Sequence, residues 1–212
     1  MLYESKFNIV LDIDETLLTS QEETPPYTKR THKIKINDNM IYIILRPHYK
    51  EFLEFCYDYF QRVIVWSAGE DAYVKKVVKI LFNDLPYPDL VLTHKDCKIY
   101  YINGEEIDYS KPLSKLTKIY DKINLSNTII VDDRIKNFLY CNPFNGILIP
   151  YYKPKTYRDN EDDMLLRLIR WFRLPEVVEI EDVRYLDFST VFSKFPPSSV
   201  LNHEYFLDID IY

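Results

Sequence analysis

The stretch Phe7-Asn8-Ile9-Val10-Leu11-Asp12-Ile13-Asp14-Glu15-Thr16 decides the fold of this 212-residue chain. Its first five residues are apolar except for Asn8, which is typical of a strand buried on both faces of a sheet. Asp12 and Asp14 then follow at a spacing of two, so in extended chain they can face the same side. Carboxylates at the mouth of a buried strand need a cation to balance them, and a hard cation such as Mg²⁺ prefers oxygen ligands.

Two other interpretations of this stretch are weaker. Asp12, Asp14, Thr16 and Glu23 match the first, third, fifth and twelfth positions of a calcium-binding loop, but Leu17 stands where that loop requires glycine. A strand rather than a helix also precedes these residues. A simple surface turn is disfavoured because apolar runs flank the acidic residues on both sides.

The rest of the chain alternates short apolar runs with helical periodicity. Strands are predicted at Val63–Trp66, Thr128–Val131 and Ile147–Ile149, and hairpins at Ile34–Ile36 with Ile41–Leu45 and at Lys98–Ile102 with Glu105–Tyr109, the second around Asn103-Gly104. Helices are predicted at Pro47–Phe60, Asp71–Phe82, Leu113–Ile123 and Asp162–Leu174. This order predicts an α/β fold: a Rossmann-like parallel sheet with helices on both faces and a small β insertion.

The composition excludes several classes of protein. The net charge of −6 argues against direct nonspecific nucleic-acid binding, which needs a broad cationic surface. Cys56, Cys97 and Cys141 lack paired spacing, so neither a disulfide framework nor a zinc cluster is indicated. No apolar run approaches the ~18 residues of a membrane span, and the N-terminus lacks a signal-peptide pattern. We therefore expect an intracellular protein without a membrane span.

Polar residues follow the other predicted strands at the edge where Asp12 follows the first. Ser67 comes after Trp66 and precedes Gly69 and a helix, an arrangement that suits phosphate binding but is also typical of a helix cap. Asp132-Asp133 follows the third strand, although such a pair alone usually begins a turn. Lys111 alone would be a solvated side chain. Because ligands bind at the carboxyl ends of parallel strands, the joint pattern indicates an acidic, cation-containing site.

Asp12-Ile13-Asp14-Glu15-Thr16, Ser67, Lys111 and Asp132-Asp133 resemble, in order and spacing, the four motifs of the haloacid dehalogenase superfamily. Leu45-Arg46-Pro47, Trp66-Ser67-Ala68-Gly69, Lys111-Pro112-Leu113 and Asn142-Pro143 extend the match. With them, residues 5–174 are similar to the NIF-type phosphatases, which act on the C-terminal domain of RNA polymerase II. A Tyr-, Ile-, Lys- and Asn-rich composition is also similar to that of proteins of large DNA viruses.

The resemblance implies a phosphoprotein phosphatase that uses Mg²⁺ and an aspartyl-phosphate intermediate. Asp12 would be the nucleophile and Asp14 the general acid and base, with Ser67 and Lys111 binding the phosphoryl group. The metal would be held by Asp12, the backbone carbonyl of Asp14, and Asp133, with Asp132 close behind. Thr16 and His94 are further candidates for substrate binding. His94 lies in a stretch where close relatives often carry arginine, which leaves the substrate open.

The resemblance also predicts the domain organisation and the partner. We expect a phosphatase domain over residues 1–174, with the β insertion at about 84–111, and an extension over 175–212 for which no fold is predicted. The expected substrate is a phosphoprotein or phosphopeptide, such as the polymerase tail, in the nucleus or the cytoplasm. Two alternatives remain: a small-molecule phosphatase of the same superfamily, and a structural or scaffolding protein that retains the fold.

Overall fold

A five-stranded parallel sheet forms the centre of the fold in a computed structural model, which describes residues 6–25, 29–102, 105–154 and 161–192. The strands are β1 (Asn8–Leu11), β2 (Leu18–Gln21), β3 (Thr31–Ile36), β4 (Asn39–Leu45), β5 (Arg62–Trp66), β6 (Leu90–Leu92), β7 (Lys98–Ile102), β8 (Glu105–Ser110), β9 (Thr128–Asp132) and β10 (Gly146–Leu148). The helices are α1 (Tyr49–Tyr59), α2 (Asp71–Leu81), α3 (Lys136–Leu139), α4 (Met164–Phe172) and α5 (Pro175–Val178). The central sheet has the order β10-β9-β1-β5-β6.

The strands of this sheet bury side chains on both faces. Along β1, Ile9 and Leu11 join the larger apolar core, whereas Val10 between them joins the smaller one. Alternate residues of a strand point to opposite faces, so one apolar run supplies both cores. The sequence prediction of a parallel sheet covered on both sides is confirmed.

The strand order places a switch point between β1 and β9. From β1 the chain moves outward through β5 to β6, then returns to the other side of β1 with β9 and continues to β10. In open parallel sheets, the crevice at the carboxyl ends of the strands on either side of such a reversal is the usual ligand-binding position. The fold therefore indicates where to look for a site.

Two small antiparallel sheets accompany the central one. The first has the order β2-β4-β3 and contains the predicted hairpin, in which Asn37 adopts φ 51° at the turn. The second pairs β7 with β8, as the sequence predicted for the insertion. Its predicted turn at Asn103-Gly104 lies outside the described residues.

Several elements differ from the prediction. Leu113–Lys118 is a 3₁₀ helix, not the start of an α-helix that continues to Ile123. Leu113 and Leu116 are the residues it buries, and their spacing of three matches the shorter turn of a 3₁₀ helix. Helix α1 begins at Tyr49 because His48 adopts a left-handed conformation, φ 62°, which cannot continue a helix. Strands β2 and β6 were not predicted.

Arg46 connects two loops and the start of α4 through hydrogen bonds. Its guanidinium donates to both carboxylate oxygens of Asp162 at 2.9 Å, to the Thr16 carbonyl at 3.0 Å and to the Pro150 carbonyl at 2.8 Å. The side chain has no solvent exposure. These contacts fix the loop after β1, the loop after β10 and the start of α4 relative to one another.

The chain beyond α4 packs against the larger core. Val177, Val183 and Val191 are buried there, in α5 and the short helical turns that follow it. The proposed boundary after residue 174 stays a prediction, and Pro196-Pro197 lies outside the described residues. Within the described ranges, no helix has the length and apolarity that a membrane crossing requires.

Candidate active site

The switch point of the sheet brings two aspartates together. Asp12 follows β1, and its backbone N–H donates to the Val131 carbonyl at 3.0 Å, so it lies level with the end of β9. Asp132 is the last residue of β9. Asp12 is 5% exposed and Asp132 is fully buried. Two buried carboxylates this close repel each other unless a cation lies between them.

Lys111 is that cation. It follows β8, and its backbone N–H donates to the Asn137 carbonyl at 2.6 Å. Its Nζ lies 2.5 Å from Asp12 Oδ1 and 2.7 Å from Asp132 Oδ2, and the side chain has no solvent exposure. Burial disfavours the charged form, but the two carboxylates outweigh burial and raise the pKa of Lys111 above its ordinary value. Lys111 is therefore a permanent positive charge within the site.

Asp132 is held by protein groups on all sides. Asn137 Nδ2 donates to its Oδ1 at 2.7 Å and to its Oδ2 at 2.9 Å, and the Arg134 backbone N–H donates to Oδ1 at 2.9 Å. Asn137 lies on α3, whose Phe138 packs so closely on Gly146 that a Cβ there would meet the ring at 2.0 Å. The position of Asp132 thus depends on a glycine at the start of β10.

Three carboxylates form a group that suits a divalent cation. One oxygen each from Asp12, Asp132 and Asp133 lies within 4.8 Å of the other two. A donor set made only of carboxylate oxygens fits a hard cation such as Mg²⁺. Burial, followed by the charges of Asp132 and Glu15, raises the pKa of Asp133 to about 7. The group therefore carries more negative charge than its surroundings balance.

The neighbouring acids have raised pKa values as well. Burial is the largest cause that raises the pKa of Asp12, Asp14 and Glu15. Asp132 and Asp14 raise the pKa of Asp12 further, while Lys111 opposes them. A bound divalent cation would reverse this effect, because it favours ionised carboxylates. The residues present thus fit a metal site.

Asp14 makes a different set of contacts. The Ser67 hydroxyl donates to Asp14 Oδ2 at 3.2 Å, and the Tyr73 hydroxyl donates to Oδ1. Ser67 Oγ in turn accepts a hydrogen bond from the Gly69 backbone N–H at 2.9 Å. The side chain of Asp14 is thus held by two hydroxyls. The metal contact that the resemblance implies for Asp14 runs through its backbone carbonyl and stays a prediction.

The acidic residues open into a pocket of about 230 Å³. Asp12, Asp14 and Asp133 contribute to its lining, together with Gly69, Tyr109 and Arg134. Tyr109 comes from the β7–β8 hairpin, and the Arg134 guanidinium donates to its hydroxyl and lies 5.0 Å from its ring centre. The insertion therefore forms part of the wall of the pocket.

Two residues predicted to bind substrate lie farther back. Thr16 is fully buried, and its carbonyl accepts from Arg46 at 3.0 Å. His94 is half-buried, and its ring packs edge-on against Tyr109 at a centroid distance of 6.0 Å. Neither Thr16 nor His94 belongs to the described lining of the pocket. Their roles in substrate binding stay predictions.

Sequence reasoning missed three residues of the site. Tyr73 was assigned only to the apolar pattern of its helix, although it contacts Asp14. Arg134 and Asn137 follow Asp132-Asp133 closely in sequence. A polar residue in the first turn of the short helix there could have indicated hydrogen bonds to the acids. These contacts depend on how loops fold back, which residue spacing alone does not reveal.

The chain is similar in sequence to known phosphatases. The model of the family described as "NLI interacting factor-like phosphatase" matches residues 7–184. "Ubiquitin-like domain-containing CTD phosphatase 1" of Drosophila melanogaster is 27% identical over 173 residues, which cover 80% of this chain and 49% of the relative. "CTD small phosphatase-like protein 2" of Dictyostelium discoideum is 28% identical over 183 residues, which cover 84% of this chain and 29% of the relative. The chain spans about half the length of these relatives or less.

Two solved structures are similar in fold. The fission yeast RNA polymerase II CTD phosphatase Fcp1, with one arginine replaced by alanine and bound to beryllium fluoride, has a TM-score of 0.52 at 17% identity. The match covers 78% of this chain and 51% of that one. The structure of Fcp1, described as an essential RNA polymerase II CTD phosphatase, has a TM-score of 0.53 at 16% identity, covering 91% of this chain and 55% of that one. The haloacid-dehalogenase-like fold predicted from the sequence is confirmed. Because the family model spans residues 7–184, this chain belongs to the NLI interacting factor-like phosphatase family.

Proposed function

We propose that this protein is a Mg²⁺-dependent phosphoprotein phosphatase that forms an aspartyl-phosphate on Asp12. The observation that carries the proposal is the buried Lys111, which bridges Asp12 and Asp132 at 2.5 and 2.7 Å. Negative charge spreads over the three outer oxygens of a phosphoryl group during its transfer, so catalysis consists mainly of positioning and of fixed positive charge. Lys111 supplies such a charge beside the pocket.

Asp12 is the proposed nucleophile. One of its oxygens attacks phosphorus, and the bond between phosphorus and the seryl or threonyl oxygen of the substrate breaks. The attack needs the ionised carboxylate, and the nearby Lys111 favours that form. Water then attacks the phosphorus of the aspartyl-phosphate, which releases inorganic phosphate and restores Asp12.

Asp14 is the proposed general acid and base. In the first step it gives a proton to the departing substrate oxygen, and in the second it takes a proton from the attacking water. Burial raises the pKa of Asp14, which favours the protonated form that the first step needs. Because Asp14 lines the same pocket as Asp12, both groups can reach one bound phosphate ester.

The carboxylates of Asp12 and Asp133 are the proposed side-chain ligands of Mg²⁺. Asp132 lies within the same oxygen group, but its contacts with Lys111 and Asn137 fit a role in holding Lys111 in place. When bound, the ion supplies positive charge that neutralises the phosphoryl oxygens. Asn137 orients the Asp132 carboxylate by donating to both of its oxygens.

The proposed substrate is a phosphoserine or phosphothreonine peptide, with the RNA polymerase II tail as first candidate. Its support is the family, the relatives that are named CTD phosphatases, and a pocket wall formed partly by the β7–β8 hairpin. Tyr109 offers that peptide an aromatic surface next to the phosphate site. All three cysteines are free thiols, which fits a reducing compartment such as the nucleus or the cytoplasm.

The test combines activity with trapping of the intermediate. The protein should hydrolyse p-nitrophenyl phosphate with Mg²⁺ and lose this activity with a chelator. With p-nitrophenyl phosphate, whose leaving group needs no proton, Asp14→Asn should accumulate phosphorylated Asp12 in acid-quenched samples, detected by peptide mass spectrometry, because the base for the second step is missing. Polymerase-tail phosphopeptides are then compared with a metabolite panel. An unphosphorylated Asp12, or activity indifferent to metal, would refute the mechanism.

A further inference from the structure

Tyr73 reaches Asp14 from the first turns of α2. Its hydroxyl donates to Asp14 Oδ1, while the Ser67 hydroxyl donates to Oδ2 at 3.2 Å. The two donors come from different elements, α2 and the end of β5, and bind opposite oxygens of one carboxyl group. A carboxyl group held at both oxygens cannot rotate freely about its last bond.

Gly69 gives Tyr73 the room to make this contact. A Cβ at position 69 would lie 2.8 Å from Tyr73 Cδ1 and 3.2 Å from Ser67 Oγ. Distances under about 3 Å between carbon atoms are well inside van der Waals contact, so a side chain there would displace the ring. The glycine, the serine and the tyrosine thus form one arrangement around Asp14.

We propose that Tyr73 is a positioning residue that fixes the Asp14 carboxyl for proton transfer to the leaving oxygen. This inference rests on the proposed function. General acid catalysis depends on geometry, because the proton must lie within hydrogen-bond reach of the atom that receives it. Without the hydroxyl of Tyr73, Ser67 is the one of these two donors that still restrains Asp14. The carboxyl group can then rotate more freely.

The leaving group of the substrate distinguishes this role from a structural one. A seryl oxygen is a poor leaving group and needs a proton as its bond breaks, whereas p-nitrophenolate leaves without one. Tyr73→Phe should therefore lower kcat/KM for a phosphoserine peptide roughly 10- to 100-fold, within the usual contribution of a general acid. For p-nitrophenyl phosphate, kcat/KM should change less than about threefold, since Asp12 and Lys111 are untouched.

Two controls complete the experiment. Tyr57 lies on α1, and its hydroxyl donates to the Pro86 carbonyl at 2.7 Å. Tyr57→Phe removes this hydroxyl and should change kcat/KM for neither substrate. In an Asp14→Asn background, Tyr73→Phe should have no further effect on kcat/KM for the peptide, because the group it positions is gone.

The outcomes separate this inference from the proposed function. In one outcome, the unmodified protein hydrolyses both substrates while Tyr73→Phe lowers kcat/KM equally for both, or for neither. That result refutes the positioning role of Tyr73 and leaves the proposed phosphatase function intact. If the unmodified protein hydrolyses no phosphate ester, both proposals fall. A loss confined to the peptide, absent in Tyr57→Phe, supports the assignment of Tyr73.

Discussion

Arg46 and Lys111 are both fully buried cations in this fold, yet their surroundings differ in kind. Arg46 is satisfied by the Asp162 carboxylate and by two backbone carbonyls, all between 2.8 and 3.0 Å. Lys111 bridges Asp12 and Asp132, and Asp12 opens into a pocket that holds further acids. The first cluster is complete within the protein. The second has an excess of negative charge that a bound divalent cation would balance.

The difference teaches how a buried charge can be assigned to structure or to chemistry. A buried ion pair contributes little net stability over a well-packed apolar replacement, but loss of one partner is costly. In the Arg46 cluster the ion pair and hydrogen bonds fix the positions of the loops, so loss of Arg46 would destabilise them. In the Lys111 cluster burial, together with neighbouring carboxylates, raises the pKa of Asp12 and of Asp133, so their ionised forms are unfavourable in the folded protein. Such raised pKa values are typical of functional sites.

The largest effect should come from Asp12→Asn. Turnover should fall by roughly 10⁴-fold or more, because the amide cannot attack phosphorus. Asp132 still pairs with the buried Lys111 after this substitution, so the free energy of unfolding of the metal-free protein should change little. Urea unfolding without metal, together with kcat/KM, measures both. A marked loss of stability would place Asp12 with the structural cluster.

Arg46→Met should show the opposite pattern. Loss of the guanidinium leaves Asp162 and two carbonyls without their donor, so the free energy of unfolding should fall by about 3 kcal/mol. This is the low end of the range expected for a broken buried ion pair, because Asp162 is 19% exposed. Arg62→Met is the matched control, since its pair with Asp89 is about one-third exposed and should contribute less than about 1 kcal/mol. Equal losses in the two variants would remove the distinction between them.

Lys111→Met should lower kcat/KM by roughly 10²- to 10³-fold, the usual cost of a lost electrostatic contact to the reacting group. Binding of inorganic phosphate as an inhibitor should weaken as well. Lys115→Met removes the ion pair between Lys115, 37% exposed, and Asp96, 18% exposed, and should leave both measurements unchanged. If the two lysine variants behave alike, the bridge to Asp12 has no role in catalysis.

The smallest effect concerns pH and the metal. The pKa of Asp133 is raised to about 7, and Mg²⁺ needs the ionised form. Below about pH 7 affinity should therefore fall up to tenfold per pH unit, and above it affinity should level off. Calorimetry in buffers of different protonation enthalpy would show proton release on binding. Asp133→Asn should bind Mg²⁺ more weakly and with a shallower pH dependence near pH 7; an unchanged profile would exclude Asp133 as a ligand.

Sequence predicted most of the central sheet because buried parallel strands are continuous apolar runs. It also predicted that Asp12, Ser67 and Asp132 follow strands that end at one edge. Polar or very short strands such as β2 and β6 carry no such pattern. The contact between Tyr73 and Asp14 spans 59 residues, and that between Arg46 and Asp162 spans 116, so only the tertiary fold reveals them.

Tight packing at two glycines has a consequence for how this chain tolerates change. Gly69 and Gly146 each abut a large ring, Tyr73 and Phe138, and those rings support Asp14 and the helix that carries Asn137. Neither glycine has a side chain that could take part in the reaction. We nonetheless expect both glycines to tolerate substitution almost as poorly as the aspartates do, in natural variants and in directed evolution. Even a single methyl group would misalign Asp14 at the first glycine, or Asp132, which holds Lys111, at the second.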